Sequence, residues 1–355
     1  MKALGTSKRL VYIGLLMSAC SYAAGCSNPA GSTPPPTQVD PPKITCPASQ
    51  NLVSPLGGAI PVVFAAPTVA GGKAPVTTAC TPTSGSMFSI GSQPVTCTAV
   101  DAQQRSDSCL FTITVTKPPQ IALTRFSAFG DSITWGEDGT NPTLLGLGTV
   151  HLDVQLVNQE YWYDLEQELK SRYTAQFPLI QVHNDGFSGE LAGAPTTLTR
   201  FASVLLSGWQ AVLIMEGAND LRTGTAAEPA AISNLTTMIE SAKRVGIRPY
   251  LATIPPENPA ACVPVCRGGS AALVPGFNDQ IRSLAKSEGI TLVDVFQAFG
   301  GNLTLLSTDG LHPNAAGYKV IADAFFSQLT STLELPSTLA PLISSSKGIG
   351  RPLRR

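Results

Sequence analysis

Charge is scarce in this chain. Of its 355 residues only 13% are Asp, Glu, Lys or Arg, against about 25% in an ordinary soluble protein, which excludes a charged disordered tail protein. The two signs also balance, 23 basic residues against 24 acidic ones, so nothing supplies the positive field that a phosphate backbone needs, and no nucleic-acid partner is expected. Histidine is rarer still: there are three, at 151, 183 and 312. The apolar run Leu10–Met17 falls well short of the ~20 residues of a membrane-spanning helix. Phosphate-cradling loops, the H-E-x-x-H zinc motif, dinucleotide fingerprints and the G-x-S-x-G elbow are all missing, and no cofactor or metal is implied. What the chain does have is 43% hydrophobic residues and enough length for about two domains.

Lys2, Lys8 and Arg9 precede that apolar run, and small residues and two cysteines follow it, the order of a secretory signal. Two places have the form of a lipoprotein box, Met17-Ser18-Ala19-Cys20 and Ala23-Ala24-Gly25-Cys26. Cys20 directly follows the apolar run, whereas Cys26 has the better small residues before it. Both stay open as lipidation sites for a membrane tether, beside plain secretion with cleavage near Ala24. The expectation is a signal over 1–26 and an exported product, either a cell-envelope lipoprotein or a secreted protein. Residues 27–42, SNPAGSTPPPTQVDPP, bury too little apolar surface to fold and read as a semi-extended tether.

Six further cysteines remain, at 46, 80, 97, 109, 262 and 266, and an even number in an exported chain points to disulfides. Cys46, Cys80, Cys97 and Cys109 lie in a stretch of short alternating strands such as Val95–Val100 and Phe111–Val115, with Gly and Pro between them, the pattern of a β-sandwich. Four cysteines allow three pairings, and the spacings select none of them. The run ITCP at 44–47, followed by ACTPTSGSMFSIGSQPVTCTAVDAQQRSDSCLFTITV, resembles the hyalin-repeat (HYR) domain. That resemblance implies an immunoglobulin-like module over 43–117, a role in adhesion or spacing, and glycans or cell surfaces as contacts, but no catalysis.

From Ile121 onward, strands alternate five times with helical stripes. Examples are Leu165 with Leu169, the strand Ala211–Met215, Ile232 with Leu235 and Ile239, and a last helix from about Asn314 to Leu333. Such alternation predicts a parallel sheet with helices on both faces and ligands at the carboxyl ends of the strands. Polar blocks sit at those ends: Gly130-Asp131-Ser132, Asn184-Asp185-Gly186-Phe187-Ser188-Gly189, Gly217-Ala218-Asn219-Asp220, and Asp309-Gly310-Leu311-His312 before the last helix. A serine, glycine turns, an amide and an Asp/His pair are the parts of nucleophilic acyl transfer.

These blocks, in this order, resemble the GDSL, or SGNH, hydrolases over about Phe126 to Leu333. The resemblance implies a three-layer α/β/α, flavodoxin-like domain over 122–335, after a linker at 118–121 and before a tail at 336–355 expected to be disordered. It assigns Ser132 as nucleophile, His312 as its base and Asp309 as the group that orients the imidazole. The oxyanion donors it implies are the backbone of Ser132, the backbone of Gly189 and the amide of Asn219, with Gly186 as the rival glycine. Two insertions after strand ends, 137–157 and 255–269, should border the cleft. The second carries Cys262 and Cys266, read as a small disulfide loop. The expected function is therefore a carboxylic ester hydrolase acting on a small-molecule or polysaccharide ester, with short acyl or acetyl groups, and a carbohydrate acetyl esterase as one form of it. The alternative from another class is an adhesion or carbohydrate-binding protein with an inactive second domain.

Overall fold

The computed structural model describes residues 38–140, 143–144, 151–152, 155–261, 263 and 266–336. The expected signal with Cys20 and Cys26, residues 27–37 of the tether, about half of the 137–157 insertion, Cys262 and the tail beyond 336 lie outside the described residues. Two separate hydrophobic clusters divide the rest, one built from Ile44 to Val115 and one from Ile121 to Leu333.

In the first, β1 (Gln50–Val53), β2 (Thr77–Thr81), β3 (Gly91–Val100) and β4 (Ser106–Thr116) form a sheet of order β1-β4-β3-β2. Period-two alternation turns Val95, Cys97 and Ala99 of β3 and Phe111, Ile113 and Val115 of β4 inward. Residues from two short ladders, Lys43–Thr45 with Thr68–Ala70 and Ile60–Pro61 with Met87–Phe88, contribute Ile44 and Phe88 to the same core. Phe64 meets Phe111 edge-on with ring centroids 5.0 Å apart. The cysteines left unpaired by the sequence are joined as Cys46–Cys109 and Cys80–Cys97. The second bridge links residues directly opposite each other on β2 and β3, while the first closes a separation of 63 residues.

Asp101, at the β3–β4 turn, accepts from the backbone N–H groups of Lys73, Gln103 and Arg105 and from the Arg105 guanidinium. Burial opposes its charge, but these donors outweigh it and hold its pKa down to about 2.

The second unit is built on five parallel strands: β5 (Arg125–Gly130), β6 (Gln181–Gly186), β7 (Ala211–Met215), β8 (Arg248–Ala252) and β9 (Thr291–Val293), in the order β6-β5-β7-β8-β9. Every residue of β7 is buried, as a central strand covered on both faces requires. The helices are α1 (Ser132–Trp135), α2 (Tyr161–Arg172), α3 (Pro195–Leu205), α4 (Glu228–Arg244), α5 (Val274–Glu288), α6 (Val295–Phe299) and α7 (Ala315–Leu333). Helix α2 packs with α7, whereas α4 packs between α3 and α5. This places two helical layers on the sheet, because the chain steps one way from β5 to β6 and the other way thereafter, and parallel crossovers are right-handed.

On α2 the helical stripe carries one residue beyond those read from the sequence. Tyr161 is fully buried beside Leu165 and Leu169, while Trp162 packs only partly against the core. Residues 120–121, read as linker, pair antiparallel with 334–335, and Ile121 enters the second core. Glu334 there accepts from Arg172 Nε at 2.6 Å and from the Tyr173 hydroxyl at 2.8 Å, which ties the end of the unit to the end of α2.

The Cys46–Cys109 bridge closes the longer of the two loops, so replacing both cysteines by serine should cost the sandwich about 2–4 kcal/mol. In urea unfolding, the transition of the sandwich should move to lower denaturant while that of the second unit stays in place. Asp101→Asn should destabilise the same unit. Because the folded pKa of Asp101 is depressed, its contribution is present above pH 3.8 and is lost as the pH falls through about 2, and the variant should flatten this acid dependence.

Candidate active site

Strand β5 ends at Gly130, and the chain turns at once into the short helix α1 with Ser132 as its first residue. Asp131 caps that turn, its Oδ1 accepting from Ile133 N at 2.9 Å. The residue before the serine is thus spent on fixing the backbone that presents it.

His312 is completely buried, and its Nε2 lies 2.8 Å from Ser132 Oγ. On the other side of the ring, Nδ1 lies 2.6 Å from Asp309 Oδ2. Asp309 Oδ1 also accepts from the backbone N–H groups of Leu311 and His312, each at 3.1 Å, so the carboxylate is oriented by the turn that carries its partner. Burial pushes the Asp309 pKa up, yet the hydrogen bonds and charge of His312 together with those backbone donors hold it below the usual carboxylate value. Three side chains drawn from two chain regions 180 residues apart therefore form one continuous polar chain.

The two glycines weighed from the sequence have different surroundings. A Cβ on Gly186 would lie 2.2 Å from Trp135 N, so this glycine lets the end of β6 touch the backbone of α1. Gly189 has open space around it and a φ of +76°, the left-handed region. Ser188, just before it, donates to Glu137 Oε2 at 3.0 Å, and that oxygen lies 3.5 Å from His312 Nε2, which places the Ser188-Gly189 turn beside the histidine. Asn219 follows β7, is 7% exposed, and donates through Nδ2 to Glu190 O at 2.9 Å. One of its two amide hydrogens remains for another acceptor.

Several residues that hold these loops were missed by sequence reasoning. Arg200 on α3 donates to Gly130 O at 3.2 Å, to Asp185 O, and to both carboxylate oxygens of Glu190, while its guanidinium stacks 3.8 Å from the centroid of Phe129. Asp220 accepts from the backbone of Ala192 at 2.8 Å and of Gly193 at 2.9 Å, joining the loop after β7 to the loop after β6. Glu216 is 1% exposed, and neither carboxylate oxygen has a hydrogen-bond partner. Burial, together with the neighbouring Asp131 and Glu190, raises its pKa well above the usual value, and Arg200 only partly offsets this. A signal was available for it, since Glu216 is a charged residue directly after a strand with no polar position.

Glu137 and Arg267 were inside the two insertions but were not singled out; the Arg267 guanidinium binds Glu137 Oε1 at 2.5 Å. Cys266 is disulfide-bonded. His183 is not part of the constellation: its ring packs on Trp209 with centroids 5.1 Å apart, and its Nδ1 faces Asp185. Among the described residues no group of three or more His, Cys, Asp and Glu is arranged to hold a metal ion, and no helix is long and apolar enough to cross a membrane.

The model of the GDSL-like lipase/acylhydrolase family matches residues 128–320, more than half of the chain, and that of the HYR domain matches residues 37–115. Among solved structures, a lipase/acylhydrolase from Enterococcus faecalis is 19% identical, with 59% of this chain and 97% of that one covered and a TM-score of 0.48. An acetylxylan esterase from Geobacillus stearothermophilus is 20% identical over 59% of this chain and 95% of its own, with a TM-score of 0.43. A lipolytic protein of the G-D-S-L family from Veillonella parvula is 16% identical over 57% and 96%, with a TM-score of 0.42. No curated protein matches the chain in sequence.

Asp131 supplies a test of the electrostatics behind the serine. Burial, assisted by Asp220 and Glu190, raises its pKa from 3.8 to about 7, against the pull of Ile133 N and His312. A carboxyl that binds its proton more tightly when folded gives stability that is complete below pH 3.8 and lost as the pH rises through about 7. Asp131→Asn keeps an acceptor for the cap and has no proton to lose. Denaturation midpoints at pH 5 and pH 8 should therefore lie closer together in the variant than in the wild type.

Proposed function

The chain belongs to the GDSL-like lipase/acylhydrolase family, and from that premise we propose that it is an exported serine esterase, cleaving esters of short acyl groups through an acyl-enzyme on Ser132. The observation that carries this reading is the buried chain Ser132 Oγ–His312 Nε2 at 2.8 Å and His312 Nδ1–Asp309 Oδ2 at 2.6 Å. Ser132 Oγ attacks the ester carbonyl carbon as its proton passes to Nε2. Asp309, held in its charged form, keeps the other imidazole proton on Nδ1 and stabilises the imidazolium. The carbonyl oxygen gains the negative charge and is met by the Ser132 backbone N–H, the Gly189 backbone N–H and the free amide hydrogen of Asn219. Collapse breaks the ester C–O bond, and the alcohol leaves with the proton from Nε2. Water then repeats the sequence on the acyl-enzyme, releasing the acid and restoring Ser132.

Export is supported by the two disulfides of the HYR module, since such bridges persist in oxidising compartments. Together with the signal-like start of the chain, they favour a protein held at or released from the cell envelope, with the module spacing the esterase from its tether.

Hydrolysis of p-nitrophenyl esters from acetate to long-chain acyl groups tests this reading. Activity should be greatest on acetate and butyrate and should vanish in Ser132→Ala with the fold intact; full activity in that variant would remove Ser132 from the mechanism. Asn219→Ala should lower kcat by about 10²–10³-fold, with a much smaller change in KM because the oxyanion forms only after binding.

A further inference from the structure

Glu137 lies directly after the α1 turn and is 5% exposed, a buried charge that the acyl-transfer scheme leaves without a task. Its backbone N–H donates to Ser132 O at 3.0 Å, and its carbonyl accepts from the buried Tyr318 hydroxyl at 2.9 Å, so the residue is fixed on the turn that presents the nucleophile. Two residues on, a Cβ at Gly139 would lie 2.5 Å from Asp309 Oδ1. The segment 137–139 therefore runs along the His312–Asp309 pair, with Glu137 beside the serine-facing nitrogen and Gly139 against the carboxylate behind the ring.

Both carboxylate oxygens of Glu137 are held from other loops. Oε1 accepts from Arg267 at 2.5 Å and Oε2 from the Ser188 hydroxyl at 3.0 Å, which leaves Oε2 3.5 Å from His312 Nε2. An unrestrained carboxylate would close that gap to a hydrogen bond and keep the proton that the departing alcohol needs. At 3.5 Å it acts by charge. In the resting site Nε2 accepts from Ser132, the ring is neutral, and the charge has little to act on. Between proton uptake from Ser132 and proton delivery to the alcohol the ring is an imidazolium, and a carboxylate at this range, in a site closed to water, lowers its energy. The other carboxyls that act on the ring are Asp309 at Nδ1 and Asp131, while Arg267 stands on the far oxygen of Glu137.

We propose that Glu137 is a positioning residue for ester cleavage: restrained by Arg267 and Ser188, its carboxylate stabilises His312 in the protonated form that exists only while the proton is in transit between Ser132 and the alcohol. This rests on the esterase reading and adds a second carboxylate to the machinery of that site. An interaction made in the transition state and not in the ground state raises kcat and leaves substrate binding alone.

The test uses the full chain and p-nitrophenyl acetate. Glu137→Gln keeps the size of the side chain and an acceptor for Ser188 but removes the charge. Its kcat should fall by about tenfold to a hundredfold, with KM changed by less than about twofold. Ser188→Ala breaks the tether and keeps the charge, and it should cost kcat at most about threefold, the scale of one neutral hydrogen bond. Should Glu137→Gln not fold, because it leaves Arg267 without its anion, Glu137→Gln combined with Arg267→Met removes both charges together and carries the comparison, with the same expected loss in kcat. An unchanged kcat, a loss carried by KM, or a loss matched in full by Ser188→Ala overturns the proposal while leaving the esterase standing. Release of no p-nitrophenol by the wild type from any ester overturns the esterase reading, and this proposal with it.

Discussion

The guanidinium of Arg200 accounts for why three separate loops meet at one point. At the rim of this sheet two strands, β5 and β6, end side by side, and Gly130 O also accepts from Phe187 N at 2.8 Å. Arg200 donates to Gly130 O and Asp185 O, one from each strand end, and binds Glu190 on the loop beyond Gly189. Glu190 O in turn holds the Asn219 amide. The serine turn, the glycine turn and the amide are thus referred to a single rigid cation that stacks on Phe129 of the core. A planar group with five donors in a fixed geometry can do this, whereas a lysine ammonium could not span the same set.

Around this cation the charge is strongly one-sided. Asp131, Glu190, Glu216 and Asp220 are all less than a tenth exposed, and Arg200 is the cation paired with Glu190 and facing Glu216. Burial and mutual repulsion keep Asp131 and Glu216 from ionising readily, so much of the rear of the site consists of carboxyls that favour their neutral form. The front is different. Asp309 is surrounded by donors and stays charged, and Glu137 is matched by Arg267. Hydrogen-bond donors hold Asp309 below the usual carboxylate value, while burial raises Asp131 and Glu216 above it.

The parallel sheet, its two helical layers and the ends of its strands were legible because each depends on local periodicity. The wholly apolar run Ala211–Met215 cannot be an amphipathic surface element, and the Leu165–Leu169 stripe has helical spacing. The polar blocks were legible because short strings such as Gly130-Asp131-Ser132 and Asp309-Gly310-Leu311-His312 sit at predictable strand ends. Arg200, Glu137 and Arg267 carried no such string. Each lies in ordinary helical or loop sequence, and its importance comes from partners 10 or more residues away, as with Glu190 for Arg200 and Glu137 for Arg267. The pairing of Cys46, Cys80, Cys97 and Cys109 was hidden for the same reason, since all three pairings are compatible with the spacing.

By itself, then, the sequence determined which elements form, in what order, and which reactive groups stand at their ends, for these follow from side-chain period and turn chemistry over a few residues. Only the tertiary structure decided that Ser132 and His312, 180 residues apart, come within 2.8 Å, that Gly186 serves packing while Gly189 turns beside the histidine, and that two insertions join through a buried ion pair. Those outcomes depend on strand order and loop closure. A distance across a sheet edge is set by the whole fold, and no run of neighbouring residues encodes it.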